Sequence, residues 1–186
     1  MKEHILPAIR LTLVCLVFFC GIYTLIVLGI AQLTNSKGKG EIIIENGKKY
    51  YANVGQKFTN DEYFWSRPSA VDYNAAGAAG SNKGPANPDY LKTVRQRIDT
   101  FLIHNPGIDK ADIPSDLVTA SGAGLDPHIS VQGASIQVKR VAHVRGISES
   151  QLQQLVAQNT EKPLLGLFGT ERVNVLRLNI ALDKLK

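Results

Sequence analysis

The sequence predicts an α+β domain carried by a single N-terminal transmembrane helix. Three observations predict it. An unbroken apolar run fills residues 11–33. The remainder mixes helical spacings of three and four with strand-like alternation, and no internal repeat divides it. At 186 residues the chain is long enough for one domain with an appendage. The expected organisation is an N-terminal segment 1–10, a helix 11–33, a linker 34–40 and a domain 41–186.

The apolar run reads LTLVCLVFFCGIYTLIVLGIAQL, Leu11 to Leu33, and no charge occurs between Arg10 and Lys37. As a helix it spans roughly 35 Å, enough to cross a hydrocarbon core of about 30 Å. A cleaved signal would have a shorter apolar core and a small-x-small site, which Ile30-Ala31-Gln32-Leu33 does not provide. Leu11 and Leu33 are therefore the expected helix ends. The polar groups inside are Thr12, Tyr23, Thr24 and Gln32, so the helix by itself offers no path for an ion or proton. Gly21 and Gly29 provide flat faces for a partner helix. Both cysteines, Cys15 and Cys20, lie in this run at a spacing that makes their side chains diverge. No disulfide framework or thiolate metal site is expected in the domain. The net formal charge of +5 is mildly basic, compatible with anionic lipid or an acidic partner.

After the linker TNSKGKG, two β-rich runs, Ile42–Ile44 and Tyr50–Val54, flank Asn46-Gly47 and predict a hairpin. Tyr63 to Tyr90 is an aromatic cluster around Trp65 followed by a long Gly/Ala/Asn/Pro loop. A helix follows, with Asn87 or Asp89 as cap, Pro88 in its first turn, and Leu91, Val94, Ile98, Phe101 and Leu102 as its apolar stripe. Asn105-Pro106-Gly107 ends it. Ser135–Arg145 is expected to form a second helix stopped by Gly146. Ser148 and Gln151 make a capping box for a third, with Leu152, Leu155 and Val156 buried. Leu176, Leu178, Ile180 and Leu182 alternate with more polar residues, which predicts a strand.

The stretch TASGAGLDPHIS, Thr119–Ser130, offers Ser121, Ser130, Asp126 and His128, the residue types of a nucleophile with its base. A membrane-anchored serine hydrolase is thus one alternative. The serine context is Ala-Ser-Gly-Ala-Gly and not a nucleophile elbow, and Asp126-Pro127-His128 is a turn-forming tripeptide. The glycine-rich segments 77–84 and 122–124 lack the spacing of a phosphate loop. His4, His104, His128 and His143 show no metal-ligand spacing. Two helices joined by Gly146-Ile147, with Lys139, Arg140 and Arg145 on the first, suggest a membrane-tethered helix-turn-helix DNA binder as a second alternative. Its second helix would offer Glu149, Gln151, Gln153 and Gln154 and no basic residue, so no nucleic-acid partner is expected.

One reading collects these segments. The N-terminal helix, YFWSRPSAVDYN, GSNKGPANPDY, DLVTASGAGLDPHIS, RVAHVRGIS and GLFGTERVNVLRLNIALD occur in this order. Together they resemble the C subunit of the Kdp complex, the high-affinity potassium-transporting P-type ATPase of bacteria. The resemblance implies a non-catalytic accessory subunit needed for assembly and activity, described as a catalytic chaperone that raises the pump subunit's affinity for ATP. It implies three protein partners: a channel-like potassium-binding subunit, an ATP-hydrolysing P-type subunit and a small fourth subunit. ATP enters through the pump subunit, and potassium is the transported ion. No cofactor, metal or catalytic residue is expected in this chain. The implied location is the cell inner membrane, with residues 1–10 cytoplasmic and the domain extracytoplasmic. Lys37, Lys39, Lys48 and Lys49 against Lys2 and Arg10 favour the opposite orientation by charge count, a rule that weakens where a folded domain follows. Because the motifs concentrate there, the candidate partner interface is Tyr63, Phe64, Trp65, Arg67 and Pro68, with Asp126, Pro127 and His128.

Overall fold

The computed structural model describes residues 2–185, Lys2 by its backbone alone. Met1 and Lys186, the outermost residues of the expected N-terminal segment and domain, lie outside the described residues. The chain divides into two units, with the boundary between Ile42 and Ile43.

The first unit is a continuous helical rod. Helix α1 covers Lys2–Leu16, a π-helical stretch covers Val17–Tyr23, and α2 covers Thr24–Gln32. Glu3–Gln32 is long and apolar enough to cross a membrane, and none of its central window is buried within the protein. Helical geometry therefore begins well before Leu11, the expected start of the membrane span. Polarity marks where an apolar run begins, and helical geometry continues through residues 3–10 even past Pro7. At the other end the helix stops one residue short of Leu33, which caps it. In the π stretch the backbone bonding shifts to i→i+5, and the Thr24 hydroxyl donates to the Phe19 carbonyl at 3.0 Å. That bond satisfies a polar side chain inside an apolar segment.

The second unit begins with a hairpin, β1 (Ile42–Glu45) and β2 (Lys48–Tyr51). Asn46 and Gly47 both have positive φ, at 50° and 74°, as a type I′ turn requires. The second arm ends at Tyr51 and not Val54, because the chain turns there with the Val54 amide bonded to the Tyr51 carbonyl. Helix α3 spans Pro88–His104 and is capped by Asn87. Its stripe docks through the C-terminal half: Phe101 is buried, whereas Leu91 is 40% exposed.

The expected helix 135–145 is two helices, α4 (Val131–Ser135) and α5 (Val138–Arg145). Ser130 starts the first, accepting from the Gly133 amide at 2.9 Å, a cap that the sequence pattern alone does not reveal. Gly146, at φ 67°, ends α5, and the Ser148–Gln151 capping box opens α6 (Glu149–Gln158). A three-stranded antiparallel sheet has the order β3 (His128–Ile129), β5 (Arg172–Asn174), β4 (Thr160–Glu161). The expected C-terminal strand is helix α7, Val175–Asp183. Its buried residues, Val175, Leu176, Leu178, Asn179 and Leu182, follow helical spacing, and Ile180, which alternation required to be inward, is only half-buried. Asn174 caps it by accepting from the Arg177 amide at 3.1 Å.

Helix α6 packs against α4, α5 and α7. The core between them and the sheet contains Phe64, Phe101, Ile129, Val141, Leu152, Val173 and Leu178. It anchors the segment 63–68 on one side and β3 on the other, the two places where the signature motifs lie.

Candidate functional site

Segment 63–68 is threaded through the core by side-chain clamps on its backbone. Asn179 on α7 accepts from the Phe64 amide and donates to the Phe64 carbonyl, both at 2.9 Å. Gln137, before α5, accepts from the Trp65 amide at 2.7 Å. These contacts fix alternate side chains. Phe64 is wholly buried, so this member of the predicted interface is a packing residue and offers no surface to a partner.

Tyr63 and Trp65, on either side, are half-buried and each lies under an arginine. The Arg145 guanidinium is 4.7 Å from the Tyr63 ring centre, and Arg145 and the Tyr63 hydroxyl both bond Asp183. Arg140 lies 4.8 Å from the Trp65 ring, and the His104 ring lies 5.0 Å from the same indole. Arg140 donates to the Asp61 and Tyr63 carbonyls, to Asn105 Oδ1 at 3.0 Å and to Gln137 Oε1 at 2.7 Å. Burial lowers its pKa to about 10, so it stays charged at neutral pH. Two of the basic residues of the suggested helix-turn-helix are thus turned into the domain, not displayed for phosphate.

At the other end of the segment, Arg67 meets the second motif. Its Nη1 lies 2.9 Å from Asp126 Oδ2, and Nε donates to the Thr119 carbonyl. Pro68 beside it is half-buried. Asp126 Oδ1 accepts from the His128 amide at 3.0 Å and faces His128 Nδ1 at 3.3 Å. His128 Nε2 faces Glu161 on β4 at 3.5 Å, and Glu161 pairs with Arg172 on β5 at 3.0 Å. The structure therefore joins the two predicted groups into one row, Arg67–Asp126–His128–Glu161–Arg172. Sequence reasoning missed Glu161 and Arg172, because strand pairing alone brings them to His128. Pro127 contributes its carbonyl to the Val175 amide at the start of α7.

The loops carrying this row fit through glycines. A Cβ on Gly80 would come within 2.8 Å of the Gly122 carbonyl oxygen. Gly124, at φ 67°, has the Ala79 carbonyl oxygen 2.9 Å from where its Cβ would lie. The long loop after Tyr73 is thereby held against the second motif.

The nucleophile arrangement does not assemble. Both His128 nitrogens face carboxylates. Ser130 is engaged as the α4 cap and by Asp116, which accepts from its amide at 2.6 Å and its hydroxyl at 3.1 Å. Ser121 is buried and accepts from the Asp126 amide at 3.4 Å. Among the described residues, no group of three His, Cys, Asp or Glu side chains is arranged to hold a metal ion.

The hydrogen bond from His128, assisted by Arg67, lowers the Asp126 pKa to about 2 against the cost of burial. A depressed carboxylate pKa stabilises the fold at pH above its unfolded value near 4, and that contribution is lost as pH falls towards 2. Because the side chain is 31% exposed, the contribution is discounted to about 1–2 kcal/mol. Asp126→Asn is expected to lower stability by that amount at pH 7 and by much less near pH 2. Urea unfolding of the detergent-solubilised chain at both pH values checks this; an equal loss at both would disprove the charge argument.

Fold and site define a class: a protein with one apolar N-terminal helix and an α+β domain whose signature residues interlock with one another. Residues 5–184 match the family model described as K+-transporting ATPase, c chain. Relatives named potassium-transporting ATPase KdpC subunit are 56% identical in Flavobacterium psychrophilum, over 99% of this chain and 100% of that one. They are 51% identical in Bacteroides thetaiotaomicron, over 99% and 100%, and 46% identical in Caldanaerobacter subterraneus subsp. tengcongensis, over 98% and 95%. The chain belongs to the family of K+-transporting ATPase c chains.

Proposed function

We propose that this chain is the non-catalytic accessory subunit of an ATP-driven potassium uptake complex. Its partners are a channel-like potassium-binding subunit, an ATP-hydrolysing P-type subunit and a small fourth subunit. The observation that carries the reading is a match along essentially the whole chain to relatives named potassium-transporting ATPase KdpC subunit. The geometry supports it: within the signature motifs Arg67 and His128 bond Asp126, and Ser130 bonds Asp116, contacts that hold the domain's shape. In this reading the apolar helix anchors the chain in the cell inner membrane, with its N-terminus cytoplasmic and its domain outside.

Cytoplasmic ATP is then out of the domain's reach. Any rise in the pump subunit's affinity for ATP is allosteric and requires the chain to bind two pump states with different free energies. Tyr63, Trp65, Arg67 and Pro68, with Asp126, Pro127 and His128, border the proposed partner interface.

Two results test the proposal. Protease added to intact spheroplasts is expected to digest the domain, whereas protection would reverse the orientation. Cells lacking the chain are expected to stop growing at limiting potassium and to recover when it is restored. Normal growth without it would refute an accessory role in uptake.

A further inference from the structure

Between β4 and β5 the chain leaves the sheet as a loop closed by a single isolated bridge. Leu164 and Phe168 pair across its tip, with the Leu164 amide donating to the Phe168 carbonyl at 2.9 Å. Leu165 and Gly166 turn the chain, both at positive φ. The tip leaves Leu164, Leu165, Leu167 and Phe168 exposed at 69%, 81%, 80% and 64%. Gly166 allows the turn, but a leucine at positive φ is strained for an L-residue, so the apolar side chain is kept there at a cost. The root is pinned by the Glu161–Arg172 pair and by His128 against Glu161. A stiff base thus carries an apolar point.

We infer that this tip inserts into the lipid interface of the membrane that the N-terminal helix crosses. Three observations choose lipid over a protein partner. The tip is five residues across, whereas a stable protein interface uses about 20–30 residues a side. A convex apolar wedge needs no complementary shape in a fluid headgroup layer, where burial of apolar surface drives binding. The linker from Leu33 to Glu41 reaches about 30 Å even fully extended, so a bilayer is never far from the domain. Lys162, exposed beside the tip, can lay its alkyl stem along the apolar edge and keep its ammonium among phosphates. The tip is a second, weak membrane contact that orients the domain, distinct from the anchor.

The inference rests on the helix spanning the bilayer, which resistance to alkaline extraction checks separately. The protein's one tryptophan, Trp65, lies at the stacked-arginine end of segment 63–68 and serves as the baseline reporter. The full chain and its Leu165→Trp variant are reconstituted in phosphatidylcholine and phosphatidylglycerol vesicles, with and without brominated lipid. Leu165→Trp is expected to be quenched by brominated lipid about twofold or more beyond wild type. Adding Leu167→Asn and Phe168→Asn to that variant should return quenching to the wild-type level. Quenching of Leu165→Trp no greater than wild type would overturn the proposal. So would shielding from aqueous iodide that appears only when the other transport subunits are added, since the occupant would then be protein.

Discussion

Arg140→Ala is expected to destabilise the domain by about 3–5 kcal/mol, because it leaves several buried polar groups without a partner. The Arg140 side chain is 3% exposed and donates to two backbone carbonyls and two amide side chains. Removing it strands the carbonyls of Asp61 and Tyr63, the Oδ1 of Asn105 and one bond to Gln137, and uncovers the Trp65 ring. Gln137 also holds the Trp65 amide, so the loss spreads along segment 63–68. Arg140→Lys should recover only part of the stability, because one ammonium cannot reproduce the guanidinium fork. Urea unfolding followed by Trp65 fluorescence measures both. Unfolding midpoints within experimental error of wild type would show that the network contributes little.

Phe64→Ala is expected to cost about 3–5 kcal/mol through lost burial and the cavity left behind. Phe64 is wholly buried and its backbone is clamped on both sides by Asn179. Phe64→Leu, which fills much of the space, should cost less than half as much. The consequence goes beyond stability, because Phe64 sets the alternation that turns Tyr63 and Trp65 toward the surface. Equal small losses for both variants would mean that the segment is held by its backbone bonds alone.

Some of this fold is legible in the sequence because the signal is local. The charge-free run 11–33, the Asn46-Gly47 turn, the Asn87-Pro88 helix start and the Ser148–Gln151 box each carry their cause within a few residues. Helix α7 reads as a strand because Leu176, Leu178, Ile180 and Leu182 alternate, although the 178–182 spacing also suits a helix. The deciding residue is Asn174, a cap whose significance depends on strand β5 ending there. The start of α4 depends on Ser130, whose side chain is held by Asp116 from outside the helix.

The site is less legible than the fold. Arg67 and Asp126 are 59 residues apart, and nothing in either motif points to the other. Glu161 and Arg172 become part of the row only through the pairing of β3, β5 and β4. The stretch Thr119–Ser130 shows how letters mislead: Ser130 is a helix cap and His128 lies between two carboxylates. Whole-chain resemblance is more informative here than any one motif, because it spans residues 5–184 whereas each motif covers only a few positions. The apolar tip at 164–168 has a signal in the sequence, four large apolar residues around one glycine, but it stands out only once the fold leaves them uncovered.

On the proposed reading, this chain serves an ATPase without performing its chemistry. The direct measurement is potassium-stimulated ATP hydrolysis by the purified complex, with and without this chain, titrated over ATP concentration. Omitting the chain is expected to impair assembly or raise the ATP concentration needed for half-maximal rate, and adding it back to restore both. Unchanged assembly and an unchanged ATP dependence would contradict it.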